Sequence, residues 1–224
     1  MADAKAPRLR VPALPRPFHV ALLSPEIPQN TGSIARLCAA TGSPLHLVGR
    51  LGFRIDEKSV RRAGVDYWHL VDVHQHLDLA HLAEVVPRPR WRLFSALAET
   101  SYTEAGFQPG DVLLFGPEST GLPEDLLAEH PGAVFGIPTS GAVRSLNLSN
   151  AVGIVLFEAI RQAGGLVGAR RQPPAPEAPQ DAGLTRSRGL RSHVQRILCA
   201  SPPCPAVVPS PFFSYRASPA GAAS

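Results

Sequence analysis

Ile137-Pro138-Thr139-Ser140-Gly141-Ala142-Val143-Arg144-Ser145-Leu146-Asn147-Leu148-Ser149-Asn150 is the stretch whose reading decides the fold. An apolar strand end runs into a small polar turn and then into a long apolar helix. Such a turn presents backbone N–H groups and hydroxyls at a helix N-terminus, where anions and nucleotide-like ligands are held. Ser145 or Asn147 is the expected cap of that helix. Beyond it, Leu148, Ala151, Val152, Ile154, Val155, Leu156, Ala159 and Ile160 make the helix apolar almost all round. A helix without a wet face is buried on several sides. A partner subunit and a central core position both satisfy that pattern.

Upstream, short apolar runs alternate with helical patterns. Strands are predicted at 18–23, 45–48, 68–71, 91–96, 111–115 and 133–137. Helices are predicted at 31–40, 56–63, 77–86, 123–129 and 147–162. This alternation predicts an α/β fold, a mostly parallel sheet flanked by helices. Gly42, Gly64 and Gly164 fall where helix C-caps belong.

Two more strand-to-helix loops precede the first. Pro25-Glu26-Ile27-Pro28-Gln29-Asn30-Thr31-Gly32-Ser33-Ile34-Ala35-Arg36 opens the first helix, with Asn30 or Thr31 as its expected N-cap. Arg36 lies about one and two-thirds turns beyond Asn30, near the mouth of the loop. Phe115-Gly116-Pro117-Glu118-Ser119-Thr120-Gly121-Leu122-Pro123 follows a later strand. There Gly116 permits close backbone approach, Gly121 permits positive φ, and Pro123 suits a first helical turn. Glu118 stands at the strand's C-terminal end, the edge where open α/β sheets bind ligands.

The chain has 224 residues and a net charge of +4. Residues 1–165 hold 15 Lys and Arg against 16 Asp and Glu, whereas residues 166–224 hold 7 Arg against 2 acids. The basic excess therefore sits in the tail. Domain boundaries follow the composition: a disordered leader over 1–17, a folded domain over 18–165, and a Pro/Ser/Arg-rich tail over 166–224 expected to be disordered. A basic arm with added affinity for RNA phosphates is the alternative reading of the tail. Three cysteines, Cys38, Cys199 and Cys204, match no zinc spacing and fit a reducing, cytoplasmic setting. His74, Gln75, His76 and His81 read as a solvated turn, and no metal is expected. No apolar run is long enough to span a bilayer, so no membrane is expected. There is no GxGxxG after the first strand, no Walker A motif, no HExxH and no GxSxG.

The loops PEIPQNTGSIARLC, FGPESTGLP and IPTSGAVRSLNLSNAVGIVLFEA, in this order and spacing, resemble the SPOUT class of RNA methyltransferases. The closest likeness is to its short single-domain branch, the tRNA (cytidine/uridine-34) 2′-O-methyltransferases, and it covers residues 18–165. The resemblance implies a C-terminal trefoil knot, a homodimer, and S-adenosylmethionine as cofactor. It implies transfer of a methyl group to the ribose 2′-hydroxyl of the wobble nucleotide of tRNA. Carried over by motif position, the catalytic set is Asn30, Arg36, Glu118, Ser145 and Asn147. Backbone contacts to the cofactor fall to Ala96, Gly116, Ile137, Ser145 and Leu146. Arg144 is implied as an RNA contact. From charge alone, the basic run Arg50, Arg54, Lys58, Arg61 and Arg62 reads as either an RNA surface or a solvated helix face, since Asp56 and Glu57 interleave it. Two positions depart from the pattern: Thr120 stands where relatives carry arginine, and Phe157 where many carry tyrosine. Alternative readings are 2′-O-methylation of another tRNA position or of rRNA, and a non-catalytic RNA-binding protein on the same scaffold.

Overall fold

Four short segments are rich in buried apolar residues, as interior parallel strands are. They form the middle of a six-stranded sheet in the computed structural model, which describes residues 8–53 and 70–172. The strands are β1 (Arg8–Arg10), β2 (His19–Leu23), β3 (Leu45–Val48), β4 (Val73–His76), β5 (Trp91–Phe94), β6 (Val112–Phe115), β7 (Val134–Phe135) and β8 (Arg170–Gln172). The helices are α1 (Pro28–Thr41), α2 (Leu79–Val85), α3 (Glu124–Glu129) and α4 (Leu148–Gln162). The main sheet runs β4-β3-β2-β6-β5-β7, with every pair parallel. The predicted α/β class and parallel sheet hold. The helix at 56–63, Gly64, Arg54, Lys58, Arg61 and Arg62 lie outside the described residues, as do residues 1–7 and the tail beyond 172.

Strand alternation sorts the core into two layers. Val20, Leu22, Leu45, Leu47, Leu113 and Phe115 face Ile34 and Cys38 of α1 and Val152, Val155 and Leu156 of α4. Ala21, Val48, Leu93, Val112 and Leu114 face Leu82 of α2 and Leu126 of α3. Each fully buried Leu, Val or Phe contributes about 1.5–3 kcal/mol by leaving water. Cys38 belongs to this core; burial raises its thiol pKa to about 12, so it packs as a small apolar group. Gly42, at φ +68, is the left-handed C-cap expected for α1.

Of the strand predicted at 68–71, residues 68 and 69 lie outside the described residues and 70 and 71 are not in a strand; the edge strand of the sheet is Val73–His76. Its inward side chains are histidines, so hydropathy does not mark it. They satisfy one another. His46 Nε2 lies 2.9 Å from His19 Nδ1, and His46 Nδ1 lies 2.9 Å from His76 Nε2. His74 stacks on His46 with ring centroids 5.0 Å apart, and His81 of α2 meets His76 edge-on. The solvated turn expected at His74–His76 is therefore an imidazole ladder across three strands, with His46 only 2% and His76 only 5% exposed. His76 Nδ1 is buried without a partner. The less costly proton order leaves a lone pair there rather than an N–H, so His76 donates to His46 and His46 to His19.

Each rung needs one N–H facing one lone pair, so the ladder is built from neutral rings. Burial, reinforced by the neighbouring imidazoles, lowers the pKa of His46 to about 2 and of His76 to about 4. His19 is lowered too, first by burial and then by His74 and Arg16, against a raising effect of Asp72. The unfolded chain takes these protons near pH 6.5, whereas the folded chain refuses them. Stability is thus whole above about pH 6.5 and is lost as pH falls toward about 4. Each ring costs at most about 1.4 kcal/mol per pH unit, so the fold should lose about 2 kcal/mol between pH 7 and 5.5. Urea titrations across that window check this; His46→Leu should flatten the slope, and a flat wild-type profile would contradict the ladder.

The segments expected to lie outside the domain contribute one further element. Arg8–Arg10 pairs antiparallel with Arg170–Gln172, a two-stranded sheet separate from the main one. Four of its six residues are arginines, a composition that carries no strand signal in the sequence.

Candidate functional site

β2 and β6 are neighbours, with Leu22 opposite Phe115, so the loops leaving their C-terminal ends emerge side by side. These are the first and second loops singled out in the sequence. They are joined across some ninety residues by crossed hydrogen bonds. Glu118 Oε2 accepts from the Glu26 N–H at 2.8 Å, and Oε1 accepts from the Ile27 N–H at 3.2 Å and from Asn30 Nδ2 at 3.0 Å. In return, the Glu26 carboxylate accepts from the Ser119 N–H at 3.0 Å and from Ser119 Oγ at 2.7 Å.

This arrangement corrects the expected cap. α1 begins at Pro28, so Asn30 and Thr31 lie inside its first turn and are buried. Ile27 occupies the N-cap position and offers no polar side chain. Glu118, from the other loop, takes its N–H instead. A carboxylate at the positive end of a helix is favourably placed. Asn30 is thereby free of capping duty, and its amide bridges two loops: it donates to Glu118 and accepts from Asn147 Nδ2 at 3.0 Å.

Asn147 is the N-cap of α4, as expected. Its Oδ1 accepts from the Ser149 N–H at 3.0 Å, the Ser149 hydroxyl at 2.6 Å and the Asn150 N–H at 3.4 Å. One continuous chain, Glu118–Asn30–Asn147, therefore links all three loops. Arg144, Ser145 and Leu146 precede that cap; Arg144 and Ser145 are exposed and Leu146 is half-buried. Arg36 is exposed on α1, about 9 Å along the helix from Asn30.

The remaining expected positions collect at adjoining strand ends. Phe94 pairs with both Phe115 and Phe135, so Ala96, Gly116 and Ile137 lie one or two residues beyond three neighbouring strands. The loops after β5 and β7 touch: a Cβ at Gly136 would lie 3.1 Å from the Ser95 carbonyl oxygen. Gly116 approaches its own loop. A Cβ there would overlap the Gly121 carbonyl carbon and the Leu122 nitrogen. Gly121 takes φ +73, the left-handed turn expected of it. Gly116→Ala should therefore displace the Glu118 loop and cost about 3 kcal/mol. Thermal unfolding of the variant checks this; an unchanged midpoint would mean the turn yields freely.

The structure thus brings together Asn30, Glu118 and Asn147 by direct contact, and Ala96, Gly116 and Ile137 by register. Arg36 lies on α1, which the first loop opens, and Arg144, Ser145 and Leu146 lie on the loop that leads into α4. Glu26 and Ser119 escaped the sequence reading, since their partnership is visible only once β2 and β6 are adjacent. Among the described residues no helix is long and apolar enough to cross a membrane, and no group of three or more His, Cys, Asp and Glu is arranged to hold a metal ion.

Known proteins bear on this site. The profile of the SpoU rRNA Methylase family matches residues 17–157. A Burkholderia ambifaria protein named tRNA (cytidine(34)-2'-O)-methyltransferase is 45% identical over 150 residues, covering 66% of this chain and 96% of its own. One of the same name from Photorhabdus asymbiotica is 43% identical over 153 residues, 66% of this chain and 94% of its own. A solved structure described as "Structural insights into the 2-OH methylation of C/U34 on tRNA" matches with TM-score 0.63 and 50% identity, covering 66% of this chain and 97% of that one. An AdoMet-bound rRNA methyltransferase from Sinorhizobium meliloti matches with TM-score 0.56 and 29% identity, covering 65% of this chain and 56% of that one.

Proposed function

The chain belongs to the SpoU rRNA Methylase family, and on that premise we propose that it methylates the ribose 2′-hydroxyl of nucleotide 34 of tRNA, with S-adenosylmethionine as donor. The observation that carries this reading is the Glu118–Asn30–Asn147 chain, which ties the three family loops together at adjoining strand ends. Relatives named for that reaction match along nearly their whole length, which favours the wobble ribose over another tRNA position or rRNA. A non-catalytic role is disfavoured because the whole implied catalytic set is present.

The residues fit the cofactor. Ala96, Gly116 and Ile137 offer backbone at three adjoining strand ends, and Ser145 and Leu146 offer it from the loop before α4; these would hold S-adenosylmethionine. When bound, it supplies a methyl group on a positively charged sulfur, so no side chain need activate the donor. The protein's part is then alignment. The ribose hydroxyl must also lose a proton. Glu118 already accepts three N–H donors, out of about four acceptor sites on a carboxylate. It is an anchor rather than a base. Arg36 remains a cation; its role is to hold a phosphate or to stabilise the developing alkoxide. Ser145 and Asn147 align the acceptor side, and Arg144 meets RNA.

Our proposal includes a homodimer, a C-terminal trefoil knot and a cytoplasmic location. The single chain buries one side of α4 and leaves Ile154 and Phe157 exposed, at 38% and 45%. That apolar pair supports a second copy on this face. From charge alone, Arg61 and Arg62 are assigned to RNA binding in this reading, and reversing both charges should weaken tRNA binding while leaving cofactor affinity intact. Filter binding and calorimetry separate the two; equal loss of both would indicate a folding defect. Calorimetry with S-adenosylmethionine is also the direct test of the enzyme reading. Saturable binding at one site per chain supports it, and absence of heat with folded protein counts against it.

A further inference from the structure

We infer that Glu26 and Ser119 are positioning residues for methyl transfer; the inference rests on the reading above and assigns a task to two residues outside the implied catalytic set. The geometry is reciprocal. Glu118 accepts the backbone N–H of Glu26, while Glu26 accepts the backbone N–H and the hydroxyl of the residue after Glu118. It is the logic of a capping box, in which two short segments satisfy each other's N–H groups, except that these segments lie 93 residues apart.

Each carboxylate on its own would leave its loop a hinge. Glu118 alone fixes the start of α1 but is carried on a turn whose outer half, Ser119 and Thr120, is exposed. Glu26 closes that half. With both ends pinned, the Glu118 oxygens are presented to Asn30 in one orientation, and Asn30 passes that orientation to Asn147 and so to the Ser145–Leu146 backbone. The hydrogen bonds of the Glu26 carboxylate and the Ser119 hydroxyl join these two residues and do not run to a residue proposed to hold the cofactor. Loss of the clasp should therefore spare ligand affinity and reduce turnover. Misplacement of reacting groups by about 1 Å costs on the order of a hundredfold in rate.

The experiment compares wild type, Glu26→Ala, Glu26→Gln, Ser119→Ala, Ser119→Thr and the Glu26→Ala/Ser119→Ala double variant. It measures kcat and KM for tRNA, the Kd for S-adenosylmethionine, and amide hydrogen exchange. Glu26→Ala should lower kcat about ten- to a hundredfold, with KM and Kd within about threefold of wild type. Ser119→Thr, which keeps the hydroxyl, should hold near wild-type turnover, and Glu26→Gln should fall between Ala and wild type. The double variant should cost less than the product of the single ones, the mark of groups acting on one contact. Exchange of the Ile27 and Ser119 amides should quicken in Glu26→Ala. Unchanged kcat, or a loss confined to Kd, overturns the inference. So does unaltered exchange at both amides. A wild-type protein that moves no methyl group to tRNA overturns the functional reading and, with it, the role in transfer; the exchange arm then still reports whether the clasp itself exists.

Discussion

Glu118→Ala is expected to lower kcat/KM for tRNA about a hundredfold or more. Three N–H donors lose their acceptor at once: the Glu26 and Ile27 amides and Asn30 Nδ2. Hydrogen bonds to a charged group are worth about 1.5–3 kcal/mol each, and the donors left behind still need partners. The two amides can find water, because that end of α1 is exposed. Asn30 is 6% exposed and cannot. Its amide will turn toward whatever acceptor remains and will pull on Asn147, the cap of α4. A shift of about 1 Å there accounts for the predicted loss of rate. Steady-state kinetics, taken well below the variant's unfolding temperature, check the expectation. Retained turnover would mean that the junction of the loops is a structural rivet without influence on the reacting groups.

Arg36→Lys should reduce turnover by about 10²–10³, comparable to removing one preorganised donor from a site of developing negative charge. The substitution keeps the charge and the exposed position on α1. It removes the planar fork, which offers five N–H donors in fixed directions and can grip two oxygens at once. The affinity for S-adenosylmethionine should stay near wild type, since the residues proposed to hold the cofactor lie on other loops. Kinetics with calorimetry on the same preparation separate the two quantities. Full turnover by the lysine variant would reduce Arg36 to a point charge, and loss of cofactor affinity would move it into the cofactor site.

Elements whose residues are buried by type were legible in the sequence. β3 runs over Leu45–Val48, as its three apolar residues indicate, because all four of its residues are buried. α4 starts one residue after Asn147, and Asn147 caps it, because the cap is a local interaction between neighbours in sequence. What escaped was non-local. β4 hides because its buried side chain, His76, is an imidazole that finds its partner, His46, on a strand 30 residues away. α1 begins earlier than its sequence suggests because its acceptor is Glu118, supplied from a loop 91 residues on. β1 and β8 pair arginine-rich segments whose composition signals solvent. The same limit applies at the site. Asn30, Glu118 and Asn147 were visible as polar residues on strand-to-helix loops and through family likeness, but their direct contact was not. Glu26 and Ser119 carry no signal until β2 and β6 are side by side.

The most direct test of the central claim is a methyl-transfer assay read at single-nucleotide resolution. The purified chain is incubated with labelled S-adenosylmethionine and unmodified tRNA, and the product is mapped by nuclease digestion and mass spectrometry. The account predicts one added methyl group per reactive tRNA, on the ribose of nucleotide 34. Label on a base, on another nucleotide, or on no RNA at all would contradict it.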